Sequence, residues 1–307
     1  MEQQDILSMT LPELQAAVQE FRAKQIFNWL HQKRVTDFSE MTTLSLPFRE
    51  RLASDFCINR LKIAKRLASS VDDTVKYLYE LPDGNYVETV CMQYHHGTSL
   101  CISTQVGCRM GCRFCASAIA GFVRNLTPAE MLLQIYETER AQNCKISSLV
   151  LMGIGEPLDN FDNVLRFLQL LSDPNGYGMS LRHVTVSTCG VVPKILELAE
   201  QRLGLTLSVS LHCPNDAGRS AIMPINRSYP IDVLLDACQT YFEKTGRRVT
   251  FEYAVMDQVN SAEQDAAALA ECLKGLHAHV NLIPINPVKE RNFHTLKKTV
   301  LQFQKTL

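Results

Sequence analysis

The sequence predicts an α/β protein built around a partial (β/α)6 barrel. From residue 99 onward, six β-type segments alternate with helical segments, a pattern typical of parallel strands joined by right-handed crossovers. Upstream, residues 11–55 carry an apolar stripe at helical spacing, and residues 60–98 alternate in polarity around short turns. We therefore expect a small N-terminal helical accessory domain at 1–58, a β-rich lead-in of a few antiparallel strands at 59–98, and the barrel core at 99–307.

Each element has its own local signal. Leu11-Pro12-Glu13 begins the first helix, because proline is favoured in a first helical turn. Asp83-Gly84 marks a tight turn between two lead-in strands, and Thr127-Pro-Ala-Glu130 is a capping box at the start of the first core helix. The predicted core strands are 99–106, 146–152, 183–187, 205–211, 248–255 and 279–285, with helices at 127–142, 162–172, 192–202, 231–244 and 262–274.

The bulk composition is that of an ordinary globular protein. Of 307 residues, 46% are hydrophobic and 21% are charged, which suffices for a sizeable core. The sequence contains no apolar run of about 18 residues, so we expect no membrane span, and its polar, acidic start is unlike a signal peptide. The eleven irregularly spaced cysteines therefore predict reduced thiols and metal ligands in a cytoplasmic protein, not a disulfide framework.

Basic residues concentrate near the N-terminus. Residues 22–66 contain ten Lys and Arg against four Asp and Glu, in a chain whose formal net charge is −1. Such a patch indicates an RNA-facing surface. A solvated helical surface with surplus basic residues explains the same counts, and both interpretations stay open at this point.

The most informative stretch is a loop with three cysteines, Cys108, Cys112 and Cys115, at C-x3-C-x2-C spacing. Structural zinc sites close with four ligands, and an electron-carrying iron–sulfur cluster takes four cysteines. Three thiolates therefore predict a [4Fe–4S] cluster with one iron open to another ligand. A zinc site completed by Cys101 or a distant histidine, and three inert buried cysteines, are the alternatives.

Polar residues follow the predicted strands, where the ligands of a (β/α) barrel bind. Gly155 and Glu156 follow the strand that ends at Met152, and a carboxylate there can accept hydrogen bonds from an ammonium group. Turn chemistry and helix capping explain any one such residue in isolation. The other strand-end candidates are Ser187, Ser210, Leu211, His212 and Asn286.

These motifs resemble a known family. C-x3-C-x2-C with an aromatic residue before the third cysteine is similar to the radical S-adenosylmethionine (AdoMet, SAM) enzymes. Over essentially the whole chain, the sequence resembles the RlmN family, which methylates C2 of adenine-2503 in 23S rRNA and of adenine-37 in some tRNAs. The motifs that carry this resemblance are Cys101-Ile-Ser-Thr-Gln-Val-Gly-Cys108, Gly153-Ile-Gly-Glu-Pro157, Ser187-Thr-Cys-Gly-Val-Val-Pro193, Ser210-Leu-His212 and Met223-Pro-Ile-Asn226.

The resemblance implies cofactors, partners and residue roles. In this family a cysteine carries a methyl group, and a second AdoMet is cleaved reductively at the open iron. A protein–RNA adduct follows, which is resolved by loss of a proton and attack of a second thiol. A disulfide bond therefore belongs to the expected cycle. Cys101 matches the resolving thiol, and Glu88 matches the proton acceptor. The alternatives without a catalytic role are that Cys101 is an inward-facing strand residue and that Glu88 is an exposed strand carboxylate. A flavodoxin-type electron donor and a monomer are expected. The expected cluster ligands are Cys108, Cys112 and Cys115, and the expected AdoMet-binding residues are Gly155, Glu156, Ser187, Ser210, Leu211, His212 and Asn286.

One family segment has no counterpart in residues 1–307. The methyl-carrying cysteine of the family lies in an Asp-Ile-Asp-Ala-Ala-Cys-Gly-Gln-Leu-like stretch, whereas this sequence ends in Thr299-Val-Leu-Gln-Phe-Gln-Lys-Thr-Leu307. Only Cys189 and Cys213 are placed to substitute. We therefore expect a truncated or decayed relative with impaired methylation, and the alternative is a catalytically dead, cluster-containing RNA-binding paralogue.

Overall fold

The computed structural model describes residues 3–307. Ten α-helices lie within this range: α1 Leu11–Ala17, α2 Glu20–His31, α3 Leu46–Asp55, α4 Pro128–Gln142, α5 Phe161–Ser172, α6 Val192–Glu200, α7 Asp216–Ile222, α8 Ile231–Thr245, α9 Glu263–Cys272 and α10 Lys297–Thr306. The strands of the same range are β1 Gln4–Asp5, β2 Phe56–Cys57, β3 Lys62–Ala68, β4 Val75–Glu80, β5 Tyr86–Tyr94, β6 Gly97–Cys101, β7 Gln105–Gly107, β8 Phe122–Asn125, β9 Ile146–Leu151, β10 Val184–Thr188, β11 Thr206–Ser210, β12 Val249–Val255 and β13 Ala278–Pro284.

The chain divides into two compact units. The first unit comprises Met1–Val106, Asn125–Ile154 and Asn160–His183. The second unit comprises Gly107–Arg124, Gly155–Asp159 and Val184–Leu307. Each unit is therefore assembled from segments that are distant in sequence, and each is described by itself below.

The first unit begins with the predicted helical segment. Thr10 and Glu13 form a reciprocal capping box at the start of α1, which satisfies backbone N–H groups that have no partner within the helix. Along α2, Ile26, Phe27 and Leu30 are fully buried, as their helical spacing predicts. The first unit thus contains a helical layer with an apolar core of its own.

The sheet of the first unit is antiparallel from β3 to β6. The predicted Asp83-Gly84 turn joins β4 to β5, with Gly84 at φ +81°, a conformation that favours glycine. After β6, helix α4 leads to β9, which pairs with β6 in parallel. The predicted capping box of Thr127 and Glu130 starts α4. The lead-in hairpins therefore run directly into the first parallel strand pair.

The two faces of this sheet differ in burial. Tyr77 and Tyr79 on β4 are fully buried and stack on each other with ring centroids 5.5 Å apart. The alternate residues of β4 and β5, among them Lys76 and Glu88, are half-exposed. Because successive strand residues point to opposite faces, one face of this sheet packs on the core and the other is open.

The second unit contains a parallel sheet in the order β10-β11-β12-β13. Glu252 on β12 joins three of these strands, since Ser208 Oγ and Asn281 Nδ2 donate hydrogen bonds of 2.7 Å to its two carboxylate oxygens. Helices α6, α7, α8 and α9 lie between the strands in sequence. The alternation of strands and helices after residue 99 agrees with the predicted pattern.

The elements that sequence reasoning missed are short. Helix α7 begins at Asn215, whose side chain accepts a hydrogen bond of 2.8 Å from the Gly218 N–H. Its seven residues include a glycine and show no sustained apolar period. Two-residue strands such as β1 and β2 likewise offer too few residues for a period to be visible.

Candidate active site

The three-cysteine loop lies in the second unit and is fixed at both ends by backbone hydrogen bonds. The Cys108 N–H donates to the Gly121 carbonyl at 2.9 Å, and the Arg113 N–H donates to the Ile222 carbonyl at 2.9 Å. Gly107 has φ +72°, and a Cβ there would overlap the Gly121 carbonyl. Glycine at this position is therefore required for the loop to approach its neighbour.

The three thiols of this loop are partly exposed and electrostatically coupled. Burial, together with the charges of the neighbouring cysteines and Glu156, raises the pKa of Cys108 to about 11 and that of Cys112 to about 12. Thiolates crowded in this way are stabilised by cationic iron. In an iron–sulfur cluster each thiolate binds its own iron, so three thiols on one loop need not converge on a single ion. The donor set therefore fits a [4Fe–4S] cluster.

An apolar wall borders this loop. Cys112 and Phe114 pack against a buried cluster that includes Ile222, Met223 and Met256. The Phe114 ring meets the His212 ring edge to face, with centroids 4.8 Å apart. The loop thus has an apolar lining on one side, which restricts the access of water to the thiols.

Glu156 is buried in the second unit, with 3% of its surface exposed. Its carboxylate accepts hydrogen bonds from the Leu158 N–H at 3.0 Å and from the Cys189 N–H at 2.7 Å. Burial raises the pKa of Glu156, and these hydrogen bonds counteract that effect. The side chains of Thr188 and Cys189 also hydrogen-bond to Glu156. The carboxylate is therefore fixed in orientation at the end of the strand.

His212 is held neutral at the end of β11. Its Nδ1 accepts a hydrogen bond of 2.9 Å from the Ala254 N–H, which places the ring proton on Nε2. Burial, with the nearby Arg219 cation, lowers the pKa of His212 to about 3. Its backbone has φ +56°, and Asn260 Nδ2 donates to its carbonyl at 2.6 Å. This orientation makes Nε2–H available as a donor.

The remaining strand-end candidates also belong to the second unit. Ser187 and Ser210 are partly exposed near the ends of β10 and β11, whereas Leu211 is fully buried. Asn286 is exposed just after β13. All seven residues matched to AdoMet binding and all three matched to the cluster therefore lie in one compact unit, although their ligand roles stay a prediction.

Sequence reasoning missed Arg219, a fully buried cation on α7. Its guanidinium donates to the carbonyls of Leu211 (3.2 Å), Cys189 (2.7 Å) and Ser210 (3.0 Å) and to Asn226 Oδ1 (2.8 Å). It thereby fixes the backbone beyond the ends of β10 and β11. The Met223-Pro-Ile-Asn226 motif was the available signal, because Asn226 is one of these acceptors.

Cys101 and Glu88 lie in the first unit. Cys101 ends β6 and pairs with Val90 of β5, so Glu88, two residues from Val90, shares its face. Burial raises the pKa of Cys101 to about 11; the Glu88 charge also raises it, and the Lys76 charge lowers it. Glu88 is half-exposed and forms a 2.7 Å ion pair with Lys76. The structure thus brings the predicted resolving thiol and proton acceptor together.

Cys189 and Cys213, the possible substitutes for a methyl carrier, are both buried, and burial raises the pKa of each thiol. Buried protonated thiols are poor nucleophiles. No disulfide joins any of the eleven cysteines, all of which lie within residues 3–307, so the expected disulfide is not seen. Among residues 3–307, no helix is both long and apolar enough to cross a membrane.

An α/β fold with three coupled cysteines and an oriented strand-end carboxylate defines a radical SAM type of site. Residues 102–270 match the family model described as the radical SAM superfamily, and residues 5–58 match that of the ribosomal RNA large subunit methyltransferase N-terminal domain. A crystal structure of a radical SAM methyltransferase from Sphaerobacter thermophilus is similar at a TM-score of 0.94 and 39% identity, with 99% of this chain and 92% of that chain covered.

Similar proteins of known sequence point to the same class of enzyme. A probable dual-specificity RNA methyltransferase RlmN from Lachnoclostridium phytofermentans is 52% identical, over 94% of this chain and 83% of the relative. One of the same name from Clostridium novyi is 46% identical, over 99% of this chain and 90% of the relative. The chain belongs to the RlmN family of radical SAM RNA methyltransferases, which use a [4Fe–4S] cluster and AdoMet. The predicted fold class and family are confirmed, and a dead RNA-binding paralogue is not favoured.

Proposed function

We propose that this protein acts in the methylation of C2 of adenine in RNA, with adenine-2503 of 23S rRNA and adenine-37 of some tRNAs as targets. The methyl-carrying cysteine segment of the family has no counterpart in residues 1–307, so the proposal assigns to these residues the cluster, the AdoMet site, the resolving thiol and the proton acceptor. The observation that carries the proposal is the position of Glu156, a buried carboxylate that lies in the same compact unit as the three-cysteine loop and is oriented by the Leu158 and Cys189 N–H groups. A carboxylate at this position can bind the amino group of AdoMet beside a cluster with one open iron. Membership of a family named for RNA methylation then gives the substrate class.

In this proposal the second unit binds both cofactors. Cys108, Cys112 and Cys115 would hold the cluster, which, once reduced by an external donor, would supply the electron for cleavage of AdoMet. Glu156 and Gly155 bind the amino end of AdoMet, and the neutral His212 donates through Nε2. Ser187, Ser210, Leu211 and Asn286 complete the AdoMet site. Arg219 positions the strand-end backbone without touching the cofactor.

In the first unit, Cys101 acts as the resolving thiol and Glu88 as the proton acceptor at C2 of the adenine. Lys76 orients the Glu88 carboxylate through their 2.7 Å ion pair. The thiol of Cys101 is protonated at rest, because burial and the Glu88 charge both disfavour the thiolate. Removal of the thiol proton is therefore part of its reaction with the RNA adduct.

We further propose a cytoplasmic monomer that receives electrons from a flavodoxin-type donor. RNA substrates of this kind and reduced thiols both support this location. The helical segment at 1–58 serves as the accessory domain, and 59–98 leads into the core at 99–307.

The proposal is tested with protein whose cluster is reconstituted under anaerobic conditions. It should cleave AdoMet to 5′-deoxyadenosine in the presence of a reductant, and Glu156→Gln should weaken AdoMet binding without loss of iron. Cluster-bearing protein that neither binds nor cleaves AdoMet would contradict the proposal.

A further inference from the structure

The structure divides the basic patch of residues 22–66 into paired and unpaired cations. Lys24, Arg34, Arg51 and Arg60 form ion pairs with carboxylates, and Arg22 and Lys33 lie over aromatic rings. Lys62, Lys65 and Arg66 on β3 are exposed. Within residues 3–307, none of these three has a carboxylate within 4.0 Å. Arg49, the tenth cation of the patch, donates to the Ser39 carbonyl. Within residues 3–307, the three cations of β3 are thus the group of the patch that has neither a carboxylate nor an aromatic ring as partner.

A β-bulge decides which face each of these three cations occupies. The pairing of β3 with β4 shifts between Ile63 and Lys65, so that Lys62 is opposite Glu80 and Lys65 is opposite Leu78. Glu80 and Leu78 are two residues apart and share a face. Lys62 and Lys65 are three apart and would lie on opposite faces in a regular strand, but the extra residue brings them to the same one. Arg66, opposite Tyr77, is on the other face.

The face that carries Lys62 and Lys65 also carries Glu88 and Cys101. Leu78 pairs with Glu88, and Val90 pairs with Cys101, so the register continues this face from the edge strand to β6. It is the open face of the sheet, where alternate residues of β4 and β5 are half-exposed. The two lysines therefore lie at the edge of the surface that holds the proposed reactive pair.

We propose that Lys62 and Lys65 bind backbone phosphates of the substrate RNA and guide it across this open face toward Cys101 and Glu88. The inference rests on the proposed function, from which the role of the reactive pair comes. Charge complementarity favours RNA as the occupant, because the edge strand has three cations and no acidic residue. The exposed ring of Tyr86 lies on the same face, opposite Glu80, and gives an unpaired base a surface for stacking.

Acidic groups on this face limit the positive charge without cancelling it. Glu88 is neutralised by its ion pair with Lys76. Glu80, opposite Lys62, is half-buried and forms no ion pair with it within 4.0 Å. Lys65 faces the apolar Leu78 and is the cation least offset by carboxylates. It should contribute most to RNA binding.

The test measures affinity for a short RNA hairpin with an unpaired loop adenine, at several salt concentrations, with cluster-loaded protein. Lys62→Gln with Lys65→Gln should weaken binding several-fold at low salt. It should also reduce the slope of log affinity against log salt by roughly 1.4, since each phosphate contact on single-stranded RNA contributes about 0.7. Arg66→Gln is the matched control, because it removes one cation from the same strand on the opposite face, and it should leave the slope unchanged.

Two results would overturn the inference: a slope that falls in Arg66→Gln by roughly 0.7, the share expected of each lysine, or wild-type affinity in the double variant. Circular dichroism of each variant separates these results from misfolding. AdoMet cleavage by the wild-type protein without RNA tests the proposed function separately. If AdoMet is cleaved but the lysine substitutions leave RNA affinity unchanged, only the inference is refuted. If AdoMet is not cleaved, the proposed function is refuted.

Discussion

Glu88 and Cys101 lie on the same face of two adjacent antiparallel strands, because Cys101 pairs with Val90 and Glu88 is two residues from Val90. The Glu88 carboxylate raises the pKa of the Cys101 thiol. Lys76, the ion-pair partner of Glu88, has the opposite effect. Cys101, Glu88 and Lys76 therefore form one electrostatically coupled group on the open face of the first unit. Substitutions of the two charged residues should change the thiol in opposite directions.

Glu88→Gln should lower the pKa of Cys101 from about 11 by roughly half a unit, because removal of a half-exposed charge changes the free energy by less than about 1 kcal/mol. Lys76→Gln should raise that pKa. The measurement is the rate of Cys101 alkylation against pH, followed by peptide mass spectrometry. Shifts of the same sign in both variants would show that the three groups are not coupled as the register implies.

Cys112→Ser should abolish the cluster, because it leaves two thiolates on the loop. Iron and sulfide content should fall to background, and AdoMet cleavage should fall by at least about 100-fold. Cys272→Ser, which removes a half-buried thiol on α9, is the control and should keep full iron content. A Cys112→Ser protein with normal iron and activity would exclude Cys112 as a ligand.

Glu156→Gln should raise the Kd for AdoMet by about 10- to 100-fold, which corresponds to loss of a charge-assisted hydrogen bond of roughly 1.5–3 kcal/mol. Equilibrium dialysis of cluster-loaded protein gives the Kd, and iron content shows whether the cluster is intact. Glu197→Gln, which removes an exposed ion-paired carboxylate on α6, should leave the Kd unchanged. Equal affinity in both variants would mean that Glu156 has only its structural hydrogen bonds.

The sequence predicted the core elements well, because long strands and helices contain enough residues to show a periodic pattern of apolar side chains. The capping box at Thr127 and the turn at Gly84 depend on neighbouring residues alone, and both are present as predicted. Arg219 could not be predicted in this way. Its four acceptors come from three separate segments, and its burial is visible only once β10, β11 and α7 are in place. The bulge in β3 was equally hidden, since it depends on the partner strand.

Arg219→Met should destabilise the protein by about 3–5 kcal/mol, because it removes four charge-assisted hydrogen bonds that join three buried or part-buried segments. Arg219→Lys should recover part of the loss, since an ammonium retains the charge but has only three N–H donors. Urea unfolding gives the free energy of unfolding, and Arg182→Lys at an exposed site should change it by less than about 0.5 kcal/mol. An Arg219→Met protein as stable as the wild type would contradict this assignment.

Asp5 contributes to the pH dependence of the stability of the first unit, and the sign of this contribution follows from its pKa. Burial raises its pKa from 3.8 to about 6, and its Oδ2 is buried without a hydrogen-bond partner. A raised carboxyl pKa means that the folded state binds the proton more tightly, so stability falls as pH rises from about 4 through 6. Asp5→Asn should remove that fall and stabilise the protein above pH 6 by up to about 3 kcal/mol.

Thermal unfolding between pH 5 and 8 measures this difference. Asp37→Asn is the contrasting variant, because hydrogen bonds from Ser39 lower the pKa of the exposed Asp37 carboxyl. It should lose a little stability at neutral pH instead of gaining it. A stability difference between Asp5→Asn and the wild type that is the same at pH 5 and pH 7 would show that Asp5 is ionised without cost.

The hydrogen bond from the Arg113 N–H to the Ile222 carbonyl has a consequence for biosynthesis. The cysteine loop leaves the ribosome long before α7 is synthesised, and at about 5–20 residues per second several seconds pass between them. During that interval the three thiols lack the neighbour that fixes their loop. Iron is therefore loaded most securely after translation of the second unit is complete, and the nascent thiols are exposed to oxidation until then.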